Sequence, residues 1–247
     1  MKAERKCYLV PMSLVVLVFK ERLYREFQVW MELKHCSDGH LKITPDVVRS
    51  LAKELAVSAK TVERAIQKLR HRNWIGYNPK SGFSFIRGFN AVQILEYHPS
   101  RLGVWFDICQ KNESRGFVAG SIISKLVREQ RKKVWQERKG VQSKGGAFQP
   151  VRLPAFYPVS CSSLEQIYNV SKKRAWNAKQ DASKSGYIKL RHVNEPIAID
   201  QLQSYLKGFP ENKERLFNKG SNWFLRLPDM VMMKVAFGKR GRLRKAK

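Results

Sequence analysis

The chain has 247 residues, with 48 Lys and Arg against 20 Asp and Glu, and a formal net charge of +28. Self-repulsion of this size destabilises a compact state, so the charge predicts a polyanionic partner. Hydrophobic residues make up 43% and aromatic residues 11% of the chain, which excludes a disordered basic tail protein. The length allows one large domain or two small ones. A ribosomal or chromatin-like packing protein is the alternative that composition leaves open.

The cysteines are scattered and form no CxxC pair: Cys7, Cys36, Cys109 and Cys161. This pattern is typical of reduced thiols in the cytoplasm rather than of a disulfide framework. His35, Cys36 and His40 come nearest to a metal-ligand set, but no second pair follows at a zinc-like spacing. We therefore interpret them as a polar turn and expect no metal and no cofactor.

The N-terminus mimics a signal peptide, because MKAERK precedes an apolar run from Tyr8 to Phe19. Lys20-Glu21-Arg22 follows at once without a small-residue cleavage site, and the run is too short to span a bilayer. Apolar residues continue on one helical face as far as Leu33. We predict one core helix from Pro11 to Cys36, a cytoplasmic protein and no membrane partner.

A helix-turn-helix pattern comes next. His40 to Ile43 reads as a short strand, and Thr44 then caps a helix that starts at Pro45 and runs to about Leu55. Ser58 is placed to cap a second helix. In that helix four apolar residues recur at i, i+3, i+4 and i+7 and predict one buried stripe: Val62, Ala65, Ile66 and Leu69.

Two β-prone runs follow, Trp74 to Tyr77 and Phe83 to Ile86, joined by a turn at Asn78 to Gly82. We expect the wing aromatics (Trp74, Tyr77, Phe83 and Phe85) to pack beneath the hairpin. The stretch from Ser50 to Phe89 resembles the winged helix-turn-helix family without a gap. The resemblance implies that the second helix enters the major groove of double-stranded DNA, with its N-terminal residues nearest the bases.

The resemblance also supplies a candidate site. The matching helix positions are Ser58, Lys60, Thr61, Arg64, Gln67 and Lys68. Arg64 and Gln67 are expected at base edges, because Arg forks onto guanine and Gln onto adenine. The lysines are expected at phosphates as point charges. Lys80 and Ser81 at the wing tip, with Arg87 at the strand end, are expected to reach the backbone or the minor groove.

Beyond the wing, Phe89 to Tyr97 predicts a strand or a short helix, and the domain boundary is expected between Pro99 and Gly116. Ser121 begins a long amphipathic helix, which ends in the Gly- and Lys-rich stretch Lys139 to Gln149. Ser163 to Val193 then overlays the first motif at a constant offset of 113 residues, pairing Val170 with Val57.

In this second motif, Ser162 with Glu165 predicts a capping box. Lys172 to Ser185 is the expected recognition helix, and the wing runs from Tyr187 to Val193 and returns through Ile197 to Ile199. The candidate DNA-binding residues are Lys172, Lys173, Arg174, Asn177, Gln180, Lys189 and Arg191. Lys179 stands where Ile66 stands in the first motif, and Trp176 is expected to supply the missing apolar volume. A chance helical match is the alternative.

We therefore predict a mainly α protein with small β-hairpin wings (α+β), built from two tandem winged helix-turn-helix domains. The N-terminal domain spans 1–98, a connector spans 99–116, the C-terminal domain spans 117–238, and a basic tail spans 239–247. This arrangement looks like plasmid replication initiators of the Rep type, which bind repeated origin sequences.

The predicted function is binding of double-stranded DNA by a plasmid or mobile-element replication initiator, as a monomer or homodimer, with replication or transcription machinery as a further partner. The alternatives are a transcriptional regulator, a phage or transposon accessory DNA-binding protein, and an RNA-binding protein whose wing aromatics stack bases. We do not predict an enzyme. His98-Pro99-Ser100-Arg101 matches the HxxR of tyrosine recombinases, but an arginine box, a P-loop, an HUH pair and a two-metal acidic cluster are missing.

Overall fold

The computed structural model describes residues 7–96, 99–108, 113–142, 153–208 and 215–239. The fold is mixed α/β with small antiparallel sheets. In chain order the first elements are β1 Cys7–Pro11, α1 Met12–Glu21, α2 Tyr24–Cys36, β2 His40–Leu41, α3 Pro45–Glu54, α4 Ala59–His71, β3 Ile75–Tyr77, β4 Ser84–Ile86, α5 Phe89–Leu95 and β5 Leu102–Asp107. The remaining elements are α6 Ser114–Gln142, β6 Tyr157–Val159, α7 Cys161–Tyr168, α8 Lys172–Lys184, β7 Ile188–Arg191, β8 Asn194–Ile197, α9 Ile199–Gly208, β9 Leu216–Lys219, β10 Asn222–Arg226, β11 Asp229–Met233 and β12 Phe237–Lys239.

The chain forms two compact units whose bounds differ from the predicted domains. Unit 1 comprises Met1–Ile122, Gln180–Tyr187 and Val235–Lys247, and unit 2 comprises Ile123–Lys179 and Ile188–Lys234. Helices α6 and α8 each contribute residues to both units, so neither unit is a continuous segment. The predicted basic tail lies, apart from Lys239, outside the described residues.

Two sequence predictions for unit 1 are wrong. The predicted connector at 99–116 contains β5, the central strand of the sheet β1-β5-β12, with Val104 opposite both Val10 and Phe237. The predicted helix from Pro11 to Cys36 is instead a strand followed by two helices. Arg22 ends α1 in the left-handed conformation at φ 60°, and its N–H donates to the carbonyl of Phe19.

Unit 1 has an aromatic core. The ring of Phe106 lies 5.9 Å from that of Phe27 and 4.5 Å from that of Phe117. Phe117 also contacts Tyr187 at 5.7 Å, edge to face. Stacked and tilted rings at these separations add stabilisation beyond the area they bury. Trp74, predicted beneath the wing, is fully buried in this core.

The two helices and the hairpin predicted between Thr44 and Ile86 are present in unit 1 as α3, α4 and β3-β4. The Thr44 hydroxyl accepts the N–H of Val47 at the start of α3. The whole predicted stripe of α4 is buried: Val62, Ala65, Ile66 and Leu69. Strands β3 and β4 pair antiparallel with Ile75 opposite Ile86, and β2 adds to the other side of β4, giving the order β2-β4-β3.

Unit 2 repeats this order of elements with a change in the hairpin. Its sheet has the order β6-β11-β7. In the chain, β6 precedes the helix pair and β7 follows it. In the sheet, β11 lies between β6 and β7. The predicted return strand Ile197 to Ile199 is wrong, because β8 pairs with β10 instead. The segment from β8 to β10 is inserted in the chain between the two hairpin strands β7 and β11. The residue that caps α7 is Ser160, which accepts the N–H of Ser163, and not Ser162.

The local geometry of the two helix pairs matches at the predicted offset. Helices α4 and α8 have the same length and start 113 residues apart. The turn before each has a left-handed residue, Ala56 at φ 50° and Asn169 at φ 52°. The N–H of Trp74 donates to the carbonyl of Leu69 at 2.9 Å, and that of Tyr187 to Ala182 at 2.9 Å. The repeat therefore extends to turn conformation and to helix ends.

Gly120 permits a close approach within unit 1. A Cβ at Gly120 would meet the Cβ of Tyr187, with the Cγ of Tyr187 at 3.3 Å. We expect Gly120→Ala to destabilise the protein by about 1–3 kcal/mol despite the better helix propensity of Ala, because overpacking outweighs it. The control is Gly208→Ala in α9, where a Cβ has nothing within 4 Å. Urea midpoints measure both, and equal midpoints would contradict the close contact.

Candidate nucleic-acid interface

The outer face of α4 is the strongest candidate for contact with nucleic acid. Lys60, Arg64 and Gln67 are all exposed, and their spacing of four and three residues places them in one line. This line lies opposite the buried stripe. His71 continues it by four residues and is also exposed, although the sequence analysis did not include it. The helical spacing of His71 after Gln67 is the sequence signal that could have identified it.

Two of the predicted helix residues have a capping role in the structure. The Ser58 hydroxyl accepts the N–H of Thr61 at 3.2 Å and lies 2.8 Å from the Thr61 hydroxyl. This cap satisfies one of the N–H groups that the first turn leaves without a helical partner. Ser58 is exposed and Thr61 is half-buried. Both lie at the N-terminal end of α4, which the resemblance places nearest the bases.

Lys68 has an acidic partner. Its Nζ lies 2.8 Å from Oε1 of Glu26, whose side chain is only 7% exposed. The ion pair ties α4 to α2, and Lys68 therefore offers a phosphate less net charge than Lys60 does. Arg64 lies closer to the centre of the exposed face.

The wing turn is ordered by its own side chains. The Lys80 N–H donates to Oδ1 of Asn78 at 3.0 Å, and the Phe83 N–H donates to the Ser81 hydroxyl at 3.4 Å. Lys80 and Ser81 are exposed at the tip. Arg87 is exposed as well, and its Nε donates to the carbonyl of Asn73 at 2.6 Å.

Among the four wing aromatics, the prediction of packing in the core is confirmed for Trp74 alone. Tyr77, Phe83 and Phe85 are 53%, 39% and 37% exposed. Polar side chains lie over these three rings. Arg70 lies 5.1 Å from the centroid of Tyr77, Lys42 lies 5.0 Å from that of Phe83, and His40 contacts Phe85 edge to face.

In the second motif most of the predicted residues are exposed: Lys172, Lys173, Asn177, Lys189 and Arg191. Arg174 and Gln180 are half-buried. The Ser171 hydroxyl accepts the N–H of Arg174 at 3.4 Å, as the Ser58 hydroxyl accepts that of Thr61. At the offset of the repeat, Lys173 takes the place of Lys60 and Asn177 that of Arg64.

The inner side of α8 differs from that of α4. Lys179, at the place of Ile66, is 1% exposed. Its Nζ lies 2.8 Å from Oδ2 of Asp229 and also donates to the carbonyl of Val159. His192 contacts the other carboxylate oxygen of Asp229 at 2.7 Å. The expectation for Trp176 is wrong: it is 45% exposed and adds no volume to this core, because the buried Lys179 stem fills the position.

The charge state of Asp229 follows from these contacts. Burial raises its pKa, but the hydrogen bonds from Lys179 and His192 outweigh burial and hold the pKa below its ordinary value of 3.8. The carboxylate is therefore ionised at neutral pH and compensates the buried ammonium group.

Comparison of the chain with protein-family models, curated proteins and solved structures finds no match. Among the helices of the described ranges, none has both the length and the apolar character that crossing a bilayer requires.

The Lys179 and Asp229 pair can be tested by double substitution. We expect Asp229→Leu to destabilise the protein by about 3–5 kcal/mol, because it leaves the Lys179 ammonium buried without its acid. Lys179→Met combined with Asp229→Leu removes both charges and should recover most of that loss. Urea unfolding of the two variants measures the difference, and additive losses would contradict a coupled pair.

The same pair predicts a dependence on pH. A carboxyl group with a lowered pKa stabilises the fold above its ordinary pKa, and this contribution is lost as the pH falls through the lowered value. Unfolding free energies measured from pH 6 down to pH 3 should therefore fall less steeply in the double variant than in the native protein. Identical slopes would show that Asp229 does not stabilise the fold through its charge.

Proposed function

We propose that the chain binds double-stranded DNA through two winged helix-turn-helix units, with α4 and α8 as the helices that enter the major groove. The observation that carries the proposal is the face of α4. Lys60, Arg64 and Gln67 are exposed in one line, between a capped N-terminus and the paired strands β3 and β4. In this type of unit, that helix surface is the one that reads base edges.

The charge of the chain supports a nucleic acid as the partner. A net charge of +28 favours binding to phosphates through counterion release. Helix α4 contributes five basic residues and one acid, Glu63. Such a face supplies many hydrogen-bond donors and few acceptors, and it matches a surface of phosphate oxygens and guanine O6 and N7 acceptors.

The repeat supports a composite site on the DNA. Two units on one chain gain joint affinity from effective concentration without dimerisation. We expect Arg64 to select guanine and Gln67 and Asn177 to select adenine. The preferred sequence is then a bipartite or extended site with different bases in its two parts, because the two helix faces differ.

Among DNA transactions, we propose initiation of replication at repeated origin sequences, by resemblance to plasmid initiators of the Rep type. Selection of bound fragments from a randomised duplex pool tests this role. A consensus that is repeated or bipartite supports it. A single palindrome favours a transcriptional regulator, and the absence of any consensus favours a packaging role.

RNA binding is the second candidate, and the exposure of Tyr77, Phe83 and Phe85 favours it. Unstacked bases pack on such rings. The cationic side chains above Tyr77 and Phe83 compete for the same ring faces. The pool experiment decides between the candidates when it is run in parallel with single-stranded RNA of the same sequences.

Specific and general contacts can be separated by two substitutions. Arg64→Ala should cost about 1–3 kcal/mol on the selected duplex and relax its preference, because a base contact is lost. Lys132→Ala, at an exposed position on α6, should weaken binding to selected and random duplexes equally. It should also reduce the slope of log affinity against log salt concentration by about one unit. Fluorescence anisotropy at several salt concentrations measures both variants. Equal effects of Arg64→Ala on selected and random duplexes would contradict the assignment of base contacts.

A further inference from the structure

Unit 2 contains a pocket that shares Lys172 and Lys173 with the candidate DNA-binding residues of α8 and extends beyond them. It has a volume of about 710 Å³, within the range of roughly 300–1,000 Å³ that is typical of small-molecule sites. Its lining carries five cationic side chains and one indole ring: Lys172, Lys173, Lys179, Arg215, Arg226 and Trp176.

The charge of the lining points to an anion. Among the described lining residues the acid is Asp229, and its two carboxylate oxygens already bond Lys179 and His192. The Arg215 Nε donates to the backbone carbonyl of Arg226 at 3.0 Å, which holds the Arg215 side chain against β10. Guanidinium groups suit a phosphate group, which they bind through paired hydrogen bonds.

Two helix N-termini add to the positive potential. Ser160, Cys161 and Ser162 line the pocket at the start of α7. The Ser160 hydroxyl satisfies the N–H of Ser163, but the N–H groups of Cys161 and Ser162 precede any helical acceptor. Lys172 and Lys173 form the start of α8 on another part of the lining. Helix N-termini favour bound anions.

Trp176 supplies a different kind of contact. It is 45% exposed although it is a large aromatic residue, and it lies in the pocket lining instead of in the core. An exposed indole face next to cationic side chains stacks on a nucleobase, which contributes about 1–3 kcal/mol per base. A phosphate with an attached base satisfies both halves of the lining.

The equivalent place in unit 1 shows that this chemistry belongs to unit 2. The groove there has a volume of about 250 Å³ and is lined by Thr44, the counterpart of the capping Ser160. Glu63 stands in the place of Trp176, and Ile66 in that of Lys179. The small groove has neither a stacking ring nor a buried cation.

We propose that the pocket of unit 2 binds one nucleotide, with its phosphate against Arg215, Arg226 and the N-terminus of α7 and its base on Trp176. The nucleotide is either free or an unpaired residue of a strand. This inference does not depend on duplex binding by α4. The inserted segment from β8 to β10 supplies both Arg215 and Arg226, which gives the insertion a defined role in this proposal.

The test is a calorimetric titration of the full chain with thymidine 5′-monophosphate, thymidine and inorganic phosphate. The monophosphate should bind most tightly. Trp176→Leu should weaken binding of the monophosphate about tenfold. Arg226→Ala should weaken binding of both the monophosphate and inorganic phosphate. Thermal unfolding of each variant verifies that the fold is kept.

Matched controls are available in unit 1. Trp105 is 46% exposed there, so Trp105→Leu removes a similar indole outside the pocket and should leave binding of the monophosphate unchanged. Lys60→Ala removes the counterpart of Lys173. It should weaken duplex binding and leave binding of the monophosphate unchanged, whereas Lys173→Ala should weaken binding of the monophosphate. Failure of duplex binding and failure of the pocket are therefore distinguishable.

The source of the nucleotide follows from competition. Displacement of the monophosphate by a 5′-phosphorylated single-stranded oligonucleotide supports an unpaired strand residue, and retention of the monophosphate supports a free nucleotide. The inference is overturned by absence of monophosphate binding. It is also overturned if inorganic phosphate binds as tightly as the monophosphate, or if Trp176→Leu and Arg226→Ala leave the affinity unchanged.

Discussion

The burial of one stripe on α4 determines which side chains this helix exposes. Val62, Ala65, Ile66 and Leu69 are at most 4% exposed, so the rotation of the helix about its axis is fixed. At 3.6 residues per turn, the side chains opposite the stripe must be Lys60, Arg64 and Gln67. The exposed cationic face of α4 is therefore a consequence of core packing. The pair of Lys68 with Glu26 reinforces the same rotation from the side.

Local signals in the sequence predicted the helix pairs, because caps, turns and helical stripes depend on neighbouring residues. Ser58 before a stripe and the fixed offset to Ser171 are signals of this kind. In the structure α4 starts directly after Ser58, and α8 starts at the predicted Lys172 and ends one residue before the predicted Ser185. The sheet β1-β5-β12 was missed because its strands are far apart in the sequence. Without its partner β5, the apolar strand Cys7–Pro11 could not be distinguished from the start of a helix.

Long-range contacts also explain the errors in unit 2. Lys179 looked like a weak match to Ile66, and nothing local indicated that Asp229, 50 residues later, would compensate it. The true partner of β7 is β11, which follows the inserted segment. The same insertion brings Arg226 to the helix pair. Most of the predicted site residues are exposed, but the pocket depends on this non-local arrangement. The helix pair thus borders a small groove of mixed polarity in unit 1 and a cationic pocket in unit 2.

A net charge of +28 attracts DNA wherever the charges lie, so a decisive experiment must change location at constant charge. Two double variants of unit 1 do this: Lys60→Glu with Arg64→Glu on α4, and Arg101→Glu with Lys239→Glu where β5 begins and β12 ends. All four positions are exposed. Affinity for a duplex at one fixed salt concentration is the measurement. The first variant should lose at least tenfold more affinity than the second, and equal losses would contradict a DNA-reading face on α4.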